Sequence, residues 1–229
     1  MKPIGVIHSC FNEKFGAPRQ AGLVPSAVGD IELFPPYNLP EAWKGIDGFS
    51  HLWVIFLFNQ TADQGWKPTV RPPRLGGNKR VGVFATRSNF RPNPIGLSVV
   101  KLETVREVDG SVEIRVSGLD MIDGTPVLDI KPYVPYADAV PTAVGGFADS
   151  APSMRLTVTL GTAVEAFFDE SAAVPPGLRE RLIETLALDP RPAYHQGGSR
   201  ARIYGTTLNG VNFKWRVKGT VADVFGVET

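Results

Sequence analysis

The sequence predicts a mainly β protein, a single-sheet antiparallel β-barrel followed by a small α+β C-terminal domain. The first observation is a series of short runs rich in Val, Ile, Leu and Phe, separated by Gly, Pro, Asn and Asp. The second is that one segment alone, from about residue 176 to residue 188, has a convincing helical pattern. Because helices do not alternate with the strands, the pattern argues against a doubly wound parallel sheet and favours a closed antiparallel one.

Eight apolar runs are predicted as strands, each bounded by residues that favour turns. In chain order they are residues 4–8, 28–33, 49–58, 81–85, 95–102, 112–119, 127–133 and 154–160. All of them precede residue 165, where we place the end of the barrel. The barrel domain is therefore expected to cover residues 1–164.

Residues 165–229 are predicted to form a small domain made of the helix and a hairpin. Two strands, 201–208 and 211–217, flank Asn209-Gly210, a dipeptide typical of a two-residue hairpin turn. Apolar and polar residues alternate in the second strand, so one of its faces is expected to be basic. The cationic residues on that face are Lys214, Arg216 and Lys218.

The composition is that of an ordinary globular protein, with 43% apolar residues and a formal net charge of +1. Cys10 is the only cysteine, which excludes an internal disulfide and a cysteine-rich zinc module. No run approaches the roughly 20 apolar residues that span a bilayer, and the first residues lack the pattern of a cleaved leader. We therefore expect a cytoplasmic protein that does not bind membranes.

Charge is unevenly distributed along the chain. Residues 64–102 contain no Asp or Glu, and neither do residues 199–220. The cationic side chains of the first segment are Lys67, Arg71, Arg74, Lys79, Arg80, Arg87, Arg91 and Lys101, and those of the second are Arg200, Arg202, Lys214, Arg216 and Lys218. Two such segments favour an anionic partner, although solvated surfaces also carry patchy charge.

Proline-stiffened loops interrupt the first basic segment. Pro72-Pro73 precedes the predicted strand 81–85, and Pro92 and Pro94 follow it. Because proline fixes φ, such loops lose little entropy when they bind a ligand. A similar loop near the beginning of the chain contains Pro18, Arg19 and Gln20. It is either a surface connection or a rigid loop that donates hydrogen bonds to a carboxylate, a phosphate or a base.

Metal ligands are sparse in the sequence. His8, Cys10 and His51 could bind a metal ion, but no second close pair accompanies them, so we expect no metal. A metal-dependent nucleotide hydrolase that uses His8, His51 and Asp123 is a possible reading, and this sparse pattern argues against it.

Long ordered blocks of the chain carry a resemblance. They read PRQ, GFSHLW, PTVRPPRLGGN, VGVFATRSNFRPNPIGLS, SGLD and DGTPVLDIKPYVPYAD. Together they resemble the TsaA-like family, also called the tRNA adenosine-37 N6-methyltransferase family, and DPRPAY resembles the C-terminal domain of its bacterial members. The resemblance implies a homodimeric, S-adenosylmethionine-dependent enzyme with a single-sheet β-barrel. The implied product is N6-methylated N6-threonylcarbamoyladenosine, beside the anticodon of tRNA.

The resemblance also implies cofactor contacts, residue by residue. The matching positions are Pro18, Arg19, Gln20, Asn59, Gln60, Arg87, Leu97, Asp123, Gly124, Thr125 and Pro126. Two positions depart from the family pattern, because Asn59 stands where His is expected and Asn89 where Pro is expected. The cofactor implied is S-adenosylmethionine.

Roles in catalysis and RNA binding are hypotheses. Methyl transfer to an amine nitrogen requires alignment more than it requires a metal, and Asp129 or Asp138 is expected to assist loss of the proton. Residues expected to hold tRNA phosphates are Arg71, Arg74, Arg91, Lys214, Arg216 and Lys218. Arg91 is also the first candidate to face the carboxylate of the threonylcarbamoyl group. The alternative is a noncatalytic RNA-binding module that senses S-adenosylmethionine, which would bind both ligands without forming product.

Overall fold

The computed structural model of the chain describes residues 1–171, 174–192, 195 and 202–229. The strands in these ranges are β1 (Gly5–Ser9), β2 (Val28–Leu33), β3 (His51–Leu57), β4 (Thr69–Val70), β5 (Val81–Gly82), β6 (Ile95–Val108), β7 (Ser111–Ser117), β8 (Thr125–Pro132), β9 (Thr157–Leu160), β10 (Ile203–Leu208), β11 (Val211–Lys218) and β12 (Val221–Glu228). The α-helices are α1 (Pro40–Trp43), α2 (Pro135–Asp138), α3 (Thr162–Glu170) and α4 (Leu178–Ala187), and 3₁₀ turns cover Ile46–Gly48, Asn59–Gln64, Pro73–Leu75, Val83–Ala85 and Gly146–Ala148. None of the helices described is long and apolar enough to span a bilayer.

A closed antiparallel barrel with the strand order β1-β2-β7-β6-β3-β8 forms the first part of the molecule. In β3, Leu52, Val54 and Phe56 are buried and alternate with half-buried residues, so one face of the strand fills the barrel interior. Gly96 of β6 pairs with Phe56, and a Cβ at Gly96 would lie 2.2 Å from the Phe56 ring. The predicted single-sheet barrel is confirmed.

Most predicted strands differ from the observed ones by one to three residues at an end, and one, the predicted strand 95–102, differs by more. The predicted strand 81–85 was too long, because only β5 pairs with β4 and the next residues form the Val83–Ala85 turn. Thr86 closes this turn, since its backbone N and its Oγ1 donate to the Val83 carbonyl at 3.1 and 2.8 Å. In contrast, β6 continues past residue 102 because its second half pairs with β7 across the Asp109-Gly110 turn.

A second sheet follows, with the order β10-β11-β12-β9 and β9 parallel to β12. We call this sheet, together with α3 and α4, the C-terminal module (residues 157–229). The predicted hairpin is confirmed at Asn209-Gly210, whose φ angles of 52° and 80° suit a tight turn. Its predicted first residue, Ala201, and the Ala193-Tyr194 part of the DPRPAY motif lie outside the described residues.

The expectation of a single helix after the barrel was wrong, because α3 also forms. This helix has only nine residues, and its adjacent Phe167 and Phe168 weaken the helical periodicity in the sequence. The predicted small α+β region is nevertheless confirmed, whereas the division of the chain between residues 164 and 165 stays a prediction. One apolar core joins both parts, with Phe11 from the barrel side and Leu208 and Phe213 from the module among its fully buried members.

Candidate functional site

The loop that follows β1 contacts the first acid-free segment, residues 64–102, at Arg87. Arg87 Nη1 donates a hydrogen bond to Gln20 Oε1 at 2.7 Å, and Gln20 Nε2 donates to the Arg19 carbonyl. The Gly22 backbone N donates to the Gly118 carbonyl at 2.8 Å, which fixes the end of the loop to the barrel. The structure thus brings together Gln20 and Arg87, two expected cofactor contacts separated by 66 residues in the sequence.

The turn that contains Asp123, Gly124, Thr125 and Pro126 lies against the end of β1. Asp123 Oδ1 accepts a hydrogen bond from the Ser9 backbone N at 2.9 Å, and the Gly124 N donates to the Ile7 carbonyl at 2.9 Å. Gly124 has a φ of 75°, a conformation that favours glycine. The turn is therefore anchored on the strand from which the loop with Pro18, Arg19 and Gln20 begins.

Asn59 and Gln60 open the 3₁₀ turn that follows β3. This turn is tied to the proline-stiffened loop, because Asn89 Nδ2 donates to Thr61 Oγ1 at 2.8 Å and the Phe58 N donates to the Pro94 carbonyl at 2.8 Å. At Asn89, where the resemblance leads us to expect Pro, this chain therefore has a side-chain hydrogen bond that proline could not make.

Leu97 and Asp129 lie on the outer face of the barrel. Both pair with Ile55 of the strand between them, and paired residues of neighbouring strands share a face. Leu97 is 49% exposed. Two strand spacings place Asp129 about 10 Å from Leu97. Asp129 Oδ2 lies 3.6 Å from Lys131 Nζ, so its carboxylate is close to a cation.

Asp138, the other expected proton acceptor, is at the end of α2. Its Oδ2 accepts a hydrogen bond from the Val134 backbone N at 2.7 Å, which stabilises this short helix. The side chain is exposed, and a local structural role accounts for the contact that the structure shows.

Asp120 is a candidate that the sequence reasoning missed. Ser98 Oγ donates to Asp120 Oδ1 at 2.7 Å, and Ser98 directly follows Leu97. Burial raises the pKa of Asp120, against the smaller opposite effects of the Ser98 hydroxyl, nearby backbone NH groups that include Ala21, and Arg87. The carboxylate thus links β6 to the residue that follows Gln20. Its signal in the sequence is a single acid within the otherwise uncharged run SGLDMI.

The first acid-free segment, residues 64–102, is here called the barrel segment. Its arginines differ in their contacts. Arg71 and Arg74 are exposed, and Arg74 Nη2 donates to the Ser150 carbonyl. Arg91 is half-buried and donates from Nη1 to the carbonyls of Val83 and Thr86 at 3.2 and 2.7 Å. Arg91 therefore stabilises the turn in front of Arg87.

The basic face of the hairpin is partly neutralised by its neighbour, β12. Lys214 Nζ lies 3.3 Å from Glu228, and Arg216 donates from Nε and Nη2 to Asp223 Oδ2 at 3.0 and 2.9 Å. Lys218 is exposed at the end of β11. Arg200, which belongs to the same acid-free segment, lies outside the described residues.

The histidines considered as metal ligands are held by other groups. His8 Nε2 lies 2.7 Å from Glu32, and His8 Nδ1 lies 3.8 Å from Asp123. His51 contacts the adjacent Ser50 hydroxyl at 2.9 Å. Within the described part of the chain, no three His, Cys, Asp or Glu side chains are grouped to hold a metal ion.

Comparison with known families accounts for most of the chain. The model of the tRNA-methyltransferase O N-terminal domain matches residues 6–139, and the model of the TrmO C-terminal domain matches residues 153–229. The chain belongs to the tRNA-methyltransferase O family. This membership confirms the resemblance on which the cofactor contacts were assigned.

Relatives in the tRNA-methyltransferase O family cover the chain almost completely. The tRNA (adenine(37)-N6)-methyltransferase of Escherichia coli (strain K12) is 49% identical over 225 residues, which are 98% of this chain and 96% of the relative. A Pseudomonas aeruginosa protein, described as an S-adenosylmethionine-dependent methyltransferase, is 46% identical over 94% of this chain and 91% of its own. The crystal structure of TrmO from Pseudomonas aeruginosa matches with a TM-score of 0.78 and 38% identity, covering 100% of this chain and 97% of that one.

Proposed function

We propose that this protein is an S-adenosylmethionine-dependent tRNA methyltransferase that methylates N6 of the adenosine at position 37. The observation that carries the proposal is the contact between Gln20 and Arg87, which joins two of the cofactor positions that the resemblance implies, in a chain that the family model matches. The name of the Escherichia coli relative states the same reaction. We further propose N6-threonylcarbamoyladenosine as the modified nucleoside, a homodimer as the active form and the cytoplasm as its location.

The matched side chains suit the chemical groups of S-adenosylmethionine. Gln20 and Arg87 have amide and guanidinium donors for its carboxylate. The carboxylate of Asp123 suits its ammonium group, and the half-exposed Leu97 offers apolar surface for its adenine. Bound there, S-adenosylmethionine would supply an electrophilic methyl group on its sulfonium.

The protein's task in this reaction is alignment, and the acceptance of one proton. With S-adenosylmethionine bound, this chain's residues would hold the acceptor nitrogen in line with the methyl group and would take up the proton that the methylated nitrogen loses. Asp129 is our first proposal for the proton acceptor because it shares the outer barrel face with Leu97. Asp138 stays the second, since its carboxylate already accepts the Val134 backbone NH.

We propose that the barrel segment provides the main tRNA contacts. Arg71 and Arg74 are exposed and lie where no acid is near in the sequence, so phosphates are suitable partners. Phe84 is 72% exposed, three residues before Arg87, and offers a ring on which an unpaired base of the anticodon loop can stack. The Arg91 guanidinium lies 5.4 Å from the centre of that ring, beside the proposed path of the RNA.

Residues of the second basic segment are proposed as further tRNA contacts of smaller effect. Lys214 and Arg216 already have acidic partners, and Lys218 lies at the end of the strand. On this view residues 1–164 bind S-adenosylmethionine and residues 165–229 assist tRNA binding. The proposed roles of Arg91 are to hold the turn and to contact the tRNA or the carboxylate of its threonylcarbamoyl group.

Nucleoside mass spectrometry tests the function directly. tRNA that carries threonylcarbamoyladenosine is incubated with S-adenosylmethionine and wild type, Arg87→Ala or Arg80→Ala protein. Arg80 is the matched control, because it is an exposed arginine of the same segment whose Nη1 donates to Thr69 Oγ1 at 3.0 Å. We expect a gain of one methyl group on that nucleoside with wild type and Arg80→Ala, and a rate lower by about 100-fold with Arg87→Ala, because misalignment alone has effects of this size.

The remaining outcomes separate the alternatives. Binding of S-adenosylmethionine and tRNA by the wild type without any methylated product would favour the noncatalytic sensing module. Methylation of a different nucleoside would keep the enzyme and replace the threonylcarbamoyl substrate. A wild-type protein that does not bind S-adenosylmethionine would overturn the proposal.

A further inference from the structure

The loop between β1 and Gln20 is held by the C-terminal module. Its first residues pair with the hairpin turn, since Phe11 forms a β-bridge with Leu208 and the Asn209 N donates to the Cys10 carbonyl at 2.9 Å. At the next residue, Asn12 Oδ1 accepts a hydrogen bond from the Gly210 backbone N at 2.9 Å. The contact therefore begins at the first residues of the loop.

The middle of the loop packs on the aromatic side chains of the module. The ring of Phe15 stacks on Tyr204 and Trp215, with ring centres 6.2 and 6.3 Å away and interplanar angles of 14° and 18°. Trp215 is fully buried, and its Nε1 donates to Thr206 Oγ1 at 2.9 Å, so the surface under Phe15 is fixed. Stacked rings of this kind contribute both buried apolar area and orientation.

Gly16 brings the loop backbone against the same surface. It has a φ of 98°, and a Cβ at this position would lie 2.8 Å from Thr206 Cγ2. Pro18, two residues later, is buried. The chain is thus in close contact with the module up to Gly16, two residues before the first of the three residues that match the cofactor contacts.

The module is itself anchored to the barrel. Arg181 is 1% exposed, donates from Nε to the Ser26 carbonyl at 3.0 Å, and also bonds Asn209 Oδ1. Glu184 Oε2 accepts from the backbone N and the hydroxyl of Ser26 at 3.1 and 2.6 Å. Because α4 is bound both to the barrel and to the hairpin turn, the surface under Phe15 keeps its place relative to Arg87.

We call the loop that follows β1, residues 10–22, the cofactor loop. We infer that the C-terminal module positions this loop, with Phe15 as the main positioning residue. This inference rests on the proposed function. Only three residues separate Gly16 from Gln20, so a loop released from the module would place Gln20 near Arg87 for only a fraction of the time. The apparent affinity for S-adenosylmethionine falls by that fraction, although Phe15 is not one of the matched cofactor contacts.

The test measures S-adenosylmethionine binding by calorimetry, without tRNA, on the full chain. We expect Phe15→Ala to raise the dissociation constant by about tenfold and Phe15→Tyr to restore it, because the ring stack is kept. Phe168→Ala is the matched control, since Phe168 belongs to the same module and stacks on Phe213 with ring centres 5.8 Å apart. Its dissociation constant should stay within about twofold of wild type.

Hydrogen exchange of the ligand-free protein gives a second readout. Phe15→Ala should speed amide exchange in residues 16–22 while leaving exchange in β3 unchanged, because the loop is released and the barrel is not. Equal affinities of wild type and Phe15→Ala, or an equal loss in Phe168→Ala, would overturn the inference and leave the proposed function intact. A wild type that does not bind S-adenosylmethionine would overturn both.

Asn12 keeps the test decisive if Phe15→Ala does not fold. Asn12 is exposed and makes a single hydrogen bond to the hairpin turn. Asn12→Ala removes that acceptor and should raise the dissociation constant about threefold, whereas Asn12→Asp keeps an acceptor and should match wild type. Identical affinities in both variants would contradict positioning by the hairpin.

Discussion

The two acid-free basic segments look alike in the sequence and differ in the structure. In the C-terminal segment, acids from the next strand lie opposite the cations, with Lys214 near Glu228 and Arg216 bonded to Asp223. These partners come after residue 220, outside the window in which the sequence has no acid. The predicted basic face of the hairpin is therefore largely a face of ion pairs.

In the barrel segment the arginines bond mainly to neutral groups. Arg87 donates to the amide of Gln20, Arg91 to two backbone carbonyls and Arg74 to Ser150. An ion pair closes the segment at its end, where Lys101 lies 2.9 Å from Glu103. Because hydrogen bonds to neutral groups leave the positive charge uncompensated, this segment keeps a stronger basic field than the partly neutralised face of the hairpin.

The difference shows what a charge pattern in a sequence can establish. An acid-free segment of sequence shows only that the neighbours of its cations along the chain are not acidic. In an antiparallel sheet, each cation also lies beside residues of another strand that are distant in the sequence. In the described part of the chain, Arg74, Arg87 and Arg91 donate to neutral groups, so these contacts do not neutralise their charges. A basic loop is thus stronger support for RNA binding than a basic strand.

The largest effect that would sharpen this comparison is expected from the double substitution Arg71→Ala and Arg74→Ala. tRNA affinity should fall by about tenfold. The negative slope of log affinity against log salt should become shallower by about one to two, because binding with fewer phosphate contacts releases fewer counterions. Filter binding between 50 and 200 mM salt measures both quantities, over the range in which such slopes are usually determined.

Phe84→Ala is the control for that experiment. It should weaken tRNA binding without changing the salt slope, because stacking of a base on a ring releases no counterions. An unchanged slope in the double arginine variant would contradict the assignment of the barrel segment to tRNA phosphates.

The second-largest effect is expected at Asp120, an acid outside the basic segment whose pKa is also influenced by the charge of Arg87. The folded protein holds the Asp120 proton more tightly than the unfolded chain does, because burial raises the pKa above its ordinary value of 3.8. The contribution of this group to stability therefore falls as pH rises between the unfolded and the folded pKa, and is constant above that window.

Asp120→Asn should remove this pH dependence. Measured by urea unfolding from pH 4 to pH 7, the stability of the variant relative to wild type should increase with pH and then level off. S-adenosylmethionine affinity should decrease by about threefold, since one charge-assisted contact to the loop is weakened. Parallel stability curves for the two proteins would show that Asp120 has no perturbed pKa.

The smallest effect is expected from Lys214→Ala combined with Arg216→Ala. Because acids of β12 already partner these cations, tRNA affinity should change by only about twofold and stability by at most about 1 kcal/mol, as for partly exposed ion pairs. Lys218→Ala serves as the comparison on the same strand. A tenfold loss of tRNA affinity in the double variant would break the distinction between the two segments.

Much of the candidate site could be found from the sequence because its residues stand in recognisable local blocks. Arg87 and the Asp123 turn were assigned by resemblance, and the structure shows what supports them, including the hydrogen bond from Arg87 to Gln20. Asp120 was missed because its importance depends on burial and on Ser98, 22 residues earlier in the chain. The role of Phe15 was likewise invisible, since its partners Tyr204 and Trp215 lie about 190 residues or more away along the chain.

The sequence by itself determined the positions of most strands, the tight Asn209-Gly210 turn and the family, because alternation of apolar residues, turn chemistry and motifs are properties of neighbouring positions. It did not predict β4 or β12. The tertiary structure alone decided the limits of β6, the pairing of the hairpin cations with β12 and the contact of the cofactor loop with the module. These features depend on which distant segments pack together. Packing is set by the shape and burial of the whole core and leaves no local pattern in the chain.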